Sequence, residues 1–554
     1  MGWHVIERHY VAVGPAMMHY LRAGSGAPVV VLHASPMSSR SMRSWIHALA
    51  PDFTVYAPDT AGYGQSDPLP SGAEEPTIAD YARRVLEFAD AVGLDRFIVA
   101  GTHTGSKIAL ETAVQAPDRV AQLVMDGLGL YTVEEVADQL AHYTPPIVPV
   151  WHGGHLVEVW HRLRNMWTFW PWYRQEADRR LADSIPPLEI LHEMALDMLR
   201  ARPDWGLAYR AAFRYDGRAA LERLAVPAVL VAKEADPLHE HLARLGVAVP
   251  TLQVRSVANA DHVAAVAAAF DRTLDLPAAP PPPPVVHSGG TSRRYVATSR
   301  GLVHVRVDGD PAGRPLLFLH GSPGSADSFD GLIRDLATDH LVIAPDTLGN
   351  GYSDPPTVDD PEIGYFAEVV AEVLAAMGLG PLRVYGSHTG ACIGVELAIR
   401  HPELVSGLVA DGLPAFDDEL RRDLLENYFI SLAPQRHGEH LIRAWHTIRD
   451  VQLWWPWYRQ DVEHRRPTGP SDPEHLHRLV LEFLKSGDTY QASYRAAFLY
   501  PSPERLAQLT VPTLVCATPT DMLREGSERA SVASSVRFVE LDAERDAAWA
   551  VRQL

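Results

Sequence analysis

Gly101-Thr102-His103-Thr104-Gly105 and Gly386-Ser387-His388-Thr389-Gly390 are two stretches of one pattern, 285 positions apart in a chain of 554 residues. Each follows an apolar stretch, Phe97–Ala100 or Leu382–Tyr385, and opens a stretch rich in helix-forming residues. Glycines on both sides permit a tight strand-to-helix turn from which the central side chain projects. The pattern therefore predicts one such turn in each half, with a histidine at its tip.

Other segments repeat at nearly the same offset. Leu32-His-Ala-Ser-Pro36 returns as Leu319-His-Gly-Ser-Pro323, and Trp170-Pro-Trp-Tyr-Arg-Gln175 returns as Trp455-Pro-Trp-Tyr-Arg-Gln460. The offset stays at 285 to 287 residues. A repeat of this length is a whole domain, since solenoid repeats span only about 20–50 residues. The chain is therefore predicted to be one domain written twice.

A proline-rich segment separates the two copies. Residues 280–284 are five consecutive prolines, followed closely by a Ser-Gly-Gly sequence. Such a composition favours an extended, semi-rigid spacer. We predict a first domain at 1–274, a linker at 275–292 and a second domain at 293–554.

Within each copy, apolar runs of strand length alternate with helical patterns. Runs such as Val29–Leu32 and Leu316–Leu319 are apolar throughout, as central strands covered on both faces are. Alternating strands and helices indicate an α/β fold with a mostly parallel, doubly wound sheet. The helical and aromatic segments at about 130–225 and 415–510 are predicted to be caps inserted over the sheets.

The composition excludes several functional classes. Hydrophobic residues make up 47% and charged residues 21%, with a formal net charge of −20. Nucleic-acid binding needs a basic face, so it is not expected. The two cysteines, Cys392 and Cys516, indicate no disulfide framework. Apolar runs are too short to cross a membrane, and the amino terminus lacks signal-peptide features. We expect no membrane association and a cytoplasmic location.

Together these motifs resemble the α/β-hydrolase superfamily, in particular its capped branch of epoxide hydrolases and haloalkane dehalogenases. The loop at Leu32–Pro36, the Asp59-Thr-Ala-Gly-Tyr-Gly-Gln-Ser66 segment and the turn around His103 all match, once per half. In that superfamily the turn is the nucleophile elbow. This chain departs from the pattern, because histidine stands where the family has serine or aspartate.

The resemblance also implies positions for the remaining catalytic groups. Backbone N–H groups of the oxyanion hole would come from Ser35 and Thr104, and from Ser322 and Thr389. The acid has two superfamily positions in each half, and His262 stands where the general base belongs. The second half has Leu541-Asp-Ala-Glu-Arg-Asp546 there, without a histidine. The candidate acids are Asp236 or, alternatively, Asp126 in the first half, and Asp521 or Asp411 in the second.

The elbow histidine leaves three kinds of chemistry open. Neutral imidazole could attack a carbonyl, could act with His262 as a paired base for water, or could abstract a proton from bound substrate. Imidazole has an unperturbed pKa of about 6.5, so all three are compatible with neutral pH. A histidine that has only abolished the nucleophile, leaving a binding domain, is the fourth interpretation.

The predicted caps carry candidate substrate-binding side chains. Tryptophan favours an apolar or aromatic substrate, and arginine could hold a carboxylate. Cap packing is the alternative role for the tryptophans. The candidates are His161, Trp170, Arg174 and Arg210 in the first half, with His446 and Arg495 in the second.

We therefore predict a hydrolase of a small, largely apolar ester, lactone or related electrophile. His103 at the elbow and His262, oriented by Asp236, would carry the reaction in the first half. The second half would be a degenerate copy that completes an intramolecular pseudo-dimer. The alternatives are a cofactor-free lyase or oxygenase, and a non-catalytic protein that binds a small molecule or partner. No cofactor is expected, and no metal, because no compact motif has metal-ligand spacing.

Overall fold

A computed structural model describes residues 5–70, 75–201, 203–246, 249–534, 536–543 and 545–553. It divides into two compact units. Unit 1 comprises Met1–Val148 and His155–Val285, and unit 2 comprises Pro149–Gly154 and Val286–Leu554. Each unit contains one eight-stranded sheet.

The sheet of unit 1 has the strand order β1-β2-β4-β3-β5-β6-β7-β8. The hairpin β1–β2 and the pair β2–β4 are antiparallel, and every other pair is parallel. The strands are β1 Glu7–Val13, β2 Ala16–Ala23, β3 Ala27–Leu32, β4 Phe53–Pro58, β5 Phe97–Thr102, β6 Val120–Asp126, β7 Ala228–Lys233 and β8 Leu252–Val257.

Unit 2 repeats this order as β9-β10-β12-β11-β13-β14-β15-β16, again with antiparallel pairing at β9–β10 and β10–β12. Its strands are β9 Thr291–Thr298, β10 Gly301–Asp308, β11 Arg314–Leu319, β12 His340–Pro345, β13 Leu382–Ser387, β14 Val405–Asp411, β15 Thr513–Ala517 and β16 Arg537–Glu540.

Helices lie between the strands and cover the sheets. In unit 1 they are α1 Arg43–Leu49, α2 Ile78–Ala91, α3 Thr104–Gln115, α4 Val133–His142, α5 Gly154–Met166, α6 Leu188–Arg200, α7 Leu207–Arg214, α8 Gly217–Glu222 and α9 His262–Ala267. In unit 2 they are α10 Asp330–Leu336, α11 Ile363–Met377, α12 Thr389–Arg400, α13 Asp418–Asn427, α14 Glu439–Asp450, α15 Pro473–Ser486, α16 Tyr490–Leu499, α17 Ser502–Leu506, α18 Arg524–Ser534 and α19 Ala547–Arg552. Short 3-10 helices lie at Ser39–Met42, Ala177–Arg179, Pro237–Arg244, Asn259–Asp261, Ala326–Phe329, Pro402–Leu404 and Gly487–Thr489.

The central strands are buried because their side chains meet helices on both faces. Val29, Val30 and Val31 of β3 are fully buried, as are Leu316 and Leu317 of β11. Burying one such side chain contributes about 1.5–3 kcal/mol. The predicted α/β fold with a doubly wound sheet is therefore confirmed in both halves.

Between β6 and β7 the chain of unit 1 forms five helices, α4 to α8, and between β14 and β15 unit 2 also forms five, α13 to α17. These inserted helices fall on the segments predicted as caps. The proline-rich segment runs along unit 1, where Ala279 N donates to Gly26 O at 2.9 Å and Tyr56 Oη donates to Pro280 O at 3.2 Å. Among the described helices, none is long and apolar enough to cross a membrane.

Candidate active sites

Four neighbouring parallel strands of unit 1 bring the predicted catalytic residues to one edge of the sheet. His103 follows β5, Asp126 ends β6, Asp236 lies just beyond β7, and His262 begins the helix after β8. Ligand sites of α/β sheets lie at the carboxyl ends of the strands. The order of elements alone therefore gathers these four side chains.

Both elbows have the strained backbone of a sharp strand-to-helix turn. His103 has φ 50° and ψ −106°, and His388 has φ 50° and ψ −110°. Side chains rarely adopt this region, and holding one there costs roughly 1–3 kcal/mol. A Cβ on Gly105 would overlap the backbone oxygen of Leu32, so the second glycine lets the helix pack on the neighbouring loop. The elbow places each imidazole at the strand end and the following helix directly behind it.

Two histidine–aspartate pairs occupy the site of unit 1. His103 Nε2 lies 2.6 Å from Asp236 Oδ2, and His262 Nε2 lies 2.7 Å from Asp126 Oδ1. The expected pairing of Asp236 with His262 is therefore wrong. Asp236 lies within reach of the elbow ring because histidine extends farther than serine, and Asp126, the alternative acid, binds His262 instead.

The first pair makes the elbow histidine basic. Packing around the ring lowers the pKa of His103, but the charge and hydrogen bond of Asp236 outweigh this and raise it to about 9. Burial raises the pKa of Asp236, yet His103 brings the net pKa below its usual value. The side chain of His103 is 40% exposed. At neutral pH this pair is an imidazolium–carboxylate that a ligand can reach.

The predicted oxyanion donors lie beside the elbow. Thr104 is the first residue of α3, so its N–H has no acceptor within the helix. Ser35 is buried in the loop after β3, against which Gly105 packs. In unit 2, Thr389 begins α12 in the same way, and a Cβ on Gly321, the residue before Ser322, would lie 3.3 Å from His388 Cβ. Both loops thus approach their elbows as the resemblance implies.

A buried carboxylate joins the inserted helices of unit 1 to this loop. Asp197 of α6 accepts hydrogen bonds from Ser38 Oγ at 2.8 Å and from Arg40 Nη2 at 2.5 Å. In unit 2, Glu482 of α15 accepts from Ser325 Oγ, and its cation is Lys485 Nζ at 2.6 Å. The loop in unit 1 supplies the cation itself, whereas in unit 2 the inserted helix does.

Unit 2 keeps only one of the two pairs. His388 Nε2 lies 2.9 Å from Asp521 Oδ2. Asp411 has Tyr385 as its partner, with the hydroxyl donating to Oδ2 at 2.5 Å. Burial raises the pKa of Asp411 to about 6. No histidine follows β16 in residues 541–554, so this site has no counterpart of His262.

The arginines predicted to bind substrate in unit 1 are held by protein carboxylates. Arg210 Nη2 lies 2.8 Å from Glu75 Oε1, and Arg174 Nη2 lies 3.0 Å from Asp138 Oδ2. Neutralised guanidinium groups do not select an acidic ligand, so these pairs argue against the predicted role. Sequence alone could not reveal them, because the partners are 36 and 135 residues away.

The other predicted contacts have varied surroundings. His161 is exposed on α5, and Trp170 packs its ring 5.8 Å from that of Tyr143. Arg495 Nη1 donates to Leu425 O at 3.3 Å, and its guanidinium lies over the Phe429 ring. His446 is partly buried, and burial followed by the charge of Arg449 lowers its pKa. Trp170 thus joins an aromatic cluster among the inserted helices, as the packing alternative predicted.

Sequence reasoning missed a buried cation next to the site. Lys107 lies one helical turn after His103 and is 2% exposed. Its Nζ donates to Ala212 O at 2.5 Å and lies 4.6 Å from the centre of the Tyr131 ring. Burial lowers the pKa of Lys107 to about 7. Lys107 stands on the inner face of the helix after the elbow, and unit 2 has Cys392 at the equivalent position. This position was the feature of the sequence that could have indicated a buried lysine.

In the part of the chain that the structure describes, no group of three or more histidine, cysteine or acidic side chains is arranged to hold a metal ion.

Comparisons with known proteins agree with the fold. A family model described as alpha/beta hydrolase fold matches residues 27–146 and 314–438, once in each half. Haloalkane dehalogenase 2 of Mycobacterium tuberculosis is 35% identical over 120 residues, which are 22% of this chain and 41% of the relative. A soluble epoxide hydrolase of a Corynebacterium species is 37% identical over 118 residues, 21% of this chain and 40% of the relative. The chain thus spans less than half the length of these curated relatives.

Among solved structures, epoxide hydrolase A from Mycobacterium thermoresistibile is similar, with 20% identity and a TM-score of 0.39 over 49% of this chain and 100% of that chain. The enol-lactonase from Burkholderia xenovorans has 17% identity and a TM-score of 0.36 over 45% of this chain and 91% of that chain.

Proposed function

Because the chain is a tandem duplication of the α/β-hydrolase fold, we propose that unit 1 is a hydrolase of a small, largely apolar ester, lactone or related electrophile. The observation that supports this is the pair of His262 Nε2 and Asp126 Oδ1 at 2.7 Å. It lies beside the elbow residue His103, whose ring is bound by Asp236. By their names, the matched relatives are a dehalogenase of haloalkanes and a hydrolase of epoxides.

In this proposal His262 is the general base. Asp126 fixes one ring nitrogen, so the other nitrogen is the proton acceptor for a water molecule. The water oxygen attacks the carbonyl carbon as its proton passes to His262. Asp126 stabilises the imidazolium that forms. A positioned base of this kind contributes about 10²–10⁴-fold to a rate.

His103 acts as a cation rather than as a nucleophile. Its raised pKa, about 9, leaves little neutral imidazole to attack a carbonyl or to accept a proton at pH 7. Nε2–H donates to Asp236, and Nδ1–H is the second donor of the imidazolium ring. Together with the N–H groups of Thr104 and Ser35, it stabilises the negative oxygen of the tetrahedral intermediate. The intermediate then collapses: its negative oxygen re-forms the carbonyl, the bond between carbon and the leaving oxygen breaks, and the leaving oxygen takes the proton from His262.

The test is turnover of a panel of p-nitrophenyl esters, lactones and epoxides by the full chain and three variants. We expect His262→Gln to lower kcat by about 10²–10⁴-fold. His103→Gln, which keeps a neutral donor but removes the charge, should lower kcat by about 10–10³-fold. His388→Gln, the matched change in unit 2, should leave kcat unchanged. Full activity of His262→Gln would overturn the proposed mechanism.

Two further measurements separate the alternatives. Oxygen uptake during turnover indicates an oxygenase, whereas equal rates under air and argon support hydrolysis. Ligand-induced stabilisation without turnover indicates a binding protein. The pairing of the two halves as a pseudo-dimer and the cytoplasmic location remain predictions.

A further inference from the structure

A buried serine joins the elbow of unit 1 to the strand that carries Asp126. Ser106 is the third residue of α3 and is 0% exposed. Its Oγ donates to Gly101 O at 2.7 Å and also lies 3.1 Å from Asp126 O. The same oxygen accepts a hydrogen bond from Asp126 N at 3.1 Å. One hydroxyl therefore connects the end of β5, just before the elbow, with both backbone groups of Asp126.

The carboxylate of Asp126 depends on the position of this backbone. Over the ranges that the structure describes, His262 is the only hydrogen-bond partner of that carboxylate, with 2.7 Å between Nε2 and Oδ1. A reactive side chain keeps its direction only when neighbouring groups hold it in place. With a single partner of its own, the Asp126 carboxylate takes its direction from its backbone. Because Ser106 fixes that backbone, it also influences where the His262 ring lies.

Unit 2 holds its corresponding aspartate in a different way. The residue 285 positions after Ser106 is Ala391, which has no hydroxyl. There the Asp411 carboxylate accepts a hydrogen bond from Tyr385 Oη at 2.5 Å, whereas unit 1 has Ala100 at the position of Tyr385. In unit 1 a hydroxyl binds the backbone of this aspartate, and in unit 2 a hydroxyl binds its carboxylate. The arrangement in unit 1 leaves the carboxylate to a histidine.

We propose that Ser106 is a positioning residue of unit 1, whose hydroxyl fixes Asp126 so that its carboxylate holds His262 for proton transfer. Ser106 is fully buried, so it does not touch substrate. The inference rests on the proposed hydrolase, in which His262 is the general base. Ser106 then acts on turnover only through the pair of Asp126 and His262.

The first experiment is steady-state kinetics of the full chain on the best ester of the panel. Ser106→Ala introduces the residue that unit 2 has at this position. We expect kcat to fall by about 10–10²-fold with little change in KM, because the base is no longer aligned with its water molecule. Ser106→Cys keeps a side chain of similar size with weak hydrogen-bonding power, and kcat should fall in the same direction.

A double-mutant cycle distinguishes this role from a general structural one. When His262→Gln is already present, Ser106→Ala should change kcat by less than about twofold, because the base through which it acts is gone. A merely structural role would lower kcat by the same factor with and without His262.

Two matched controls accompany the cycle. Thr112→Val removes another fully buried hydroxyl from α3, whose hydrogen bond to Ile108 O at 2.8 Å stays within the helix. Ala391→Ser is the reciprocal change in unit 2. Neither should alter kcat by more than about twofold. Melting temperatures verify that all variants are folded.

A measurement without substrate tests the same contact. In protein labelled with ¹⁵N-histidine, His262→Gln identifies the proton signal of His262 Nε2–H, which donates to Asp126. Ser106→Ala should make this proton exchange with water about tenfold faster, because the acceptor is held less firmly. The proton between His103 and Asp236 is the reference, since Ser106 does not bind Asp236.

Three outcomes would overturn the proposal. They are full kcat in folded Ser106→Ala when His262→Gln lowers kcat, equal losses from Ser106→Ala with and without His262, and unchanged exchange of the His262 proton. Failure of the proposed hydrolase is seen separately, as full activity of His262→Gln or as no turnover by the wild type. The proton exchange then still decides whether Ser106 positions the pair.

Discussion

The two elbow sites share a backbone and differ in what surrounds it. His103 and His388 have the same φ and nearly the same ψ, and an aspartate binds each ring. Unit 1 adds the Asp126–His262 pair, whereas unit 2 replaces it with a hydroxyl bond from Tyr385 to Asp411. The comparison teaches that the same elbow and the same neighbouring aspartate can be kept while the second histidine–aspartate pair is lost, and under the proposed mechanism only the unit with that second pair can activate water.

The largest expected effect comes from matched changes at the carboxylate that ends the strand after each elbow. Asp126→Asn should lower kcat by about 10²–10⁴-fold, because His262 loses the anion that stabilises its protonated form. Asp411→Asn, the same change in unit 2, should leave kcat within twofold. Steady-state kinetics on the best ester of the panel measure both. Equal losses in the two variants would mean that both units contribute to turnover.

The next largest effect concerns the buried hydrogen bonds between Asp197 of α6 and the loop after β3 in unit 1. Asp197→Asn should lower the free energy of unfolding by about 3 kcal/mol, because Arg40 loses its buried anion. Glu193→Gln on the same helix removes an exposed pair with Arg43 and should cost under about 1 kcal/mol. Urea unfolding measures both variants. A loss in Glu193→Gln that matches the loss in Asp197→Asn would contradict this ranking.

Because Lys107 is buried, we expect it to make the free energy of unfolding depend on pH. Unit 2 has Cys392 at the equivalent position. The pKa of Lys107 falls from 10.5 to about 7 on folding, so the unfolded chain binds more protons between these values. Stability of the wild type therefore rises with pH across that range. Lys107→Met should be more stable than the wild type by on the order of 1–2 kcal/mol at pH 6. This advantage should shrink towards pH 9, as chemical unfolding at both pH values would reveal.

The smallest effect concerns the strain at the elbows. Glycine adopts positive φ without the cost that histidine bears, but His388→Gly also removes the imidazole partner of Asp521, so the two effects should nearly cancel and change the free energy of unfolding by under about 1 kcal/mol. Ala391→Gly, a change at a helical position with φ in the ordinary range, should lower the free energy of unfolding by about 1 kcal/mol. Thermal unfolding of the two variants measures this contrast, and destabilisation by both would show that the contacts of the His388 ring outweigh its strain.

The fold could be predicted from the sequence because its motifs and apolar strand segments occur twice, at a nearly constant offset. The apolar runs around Val29–Leu32, the glycines flanking His103 and the 285-residue offset predicted both sheets and the carboxyl edge where the site lies. Local patterns of this kind depend on neighbouring residues, and strands that alternate with helices form a mostly parallel sheet.

The pairing of side chains could not be predicted in the same way. Asp126 and Asp236 both stand at strand ends near the two histidines, and which histidine each carboxylate binds depends on the side-chain geometry of the folded protein. The ion pairs of Arg174 and Arg210 join residues distant in sequence, so composition favoured a ligand role that the geometry opposes. Lys233 forms an ion pair with Asp183 in unit 1, and unit 2 has Thr518 and Thr468 at these positions; the repeat reveals both substitutions but not the contact between them.

The strained turn has one more consequence, for how this scaffold can change its chemistry. The strain at position 103 arises from a Cβ at positive φ, so serine, aspartate and histidine would all bear a cost there. The surrounding fold therefore holds the elbow backbone in the same conformation whichever of these reactive side chains it carries. An ancestral nucleophile could be exchanged for histidine without refolding the sheet. In a duplicated chain the two elbows can then diverge, as the different partners of Asp126 and Asp411 illustrate.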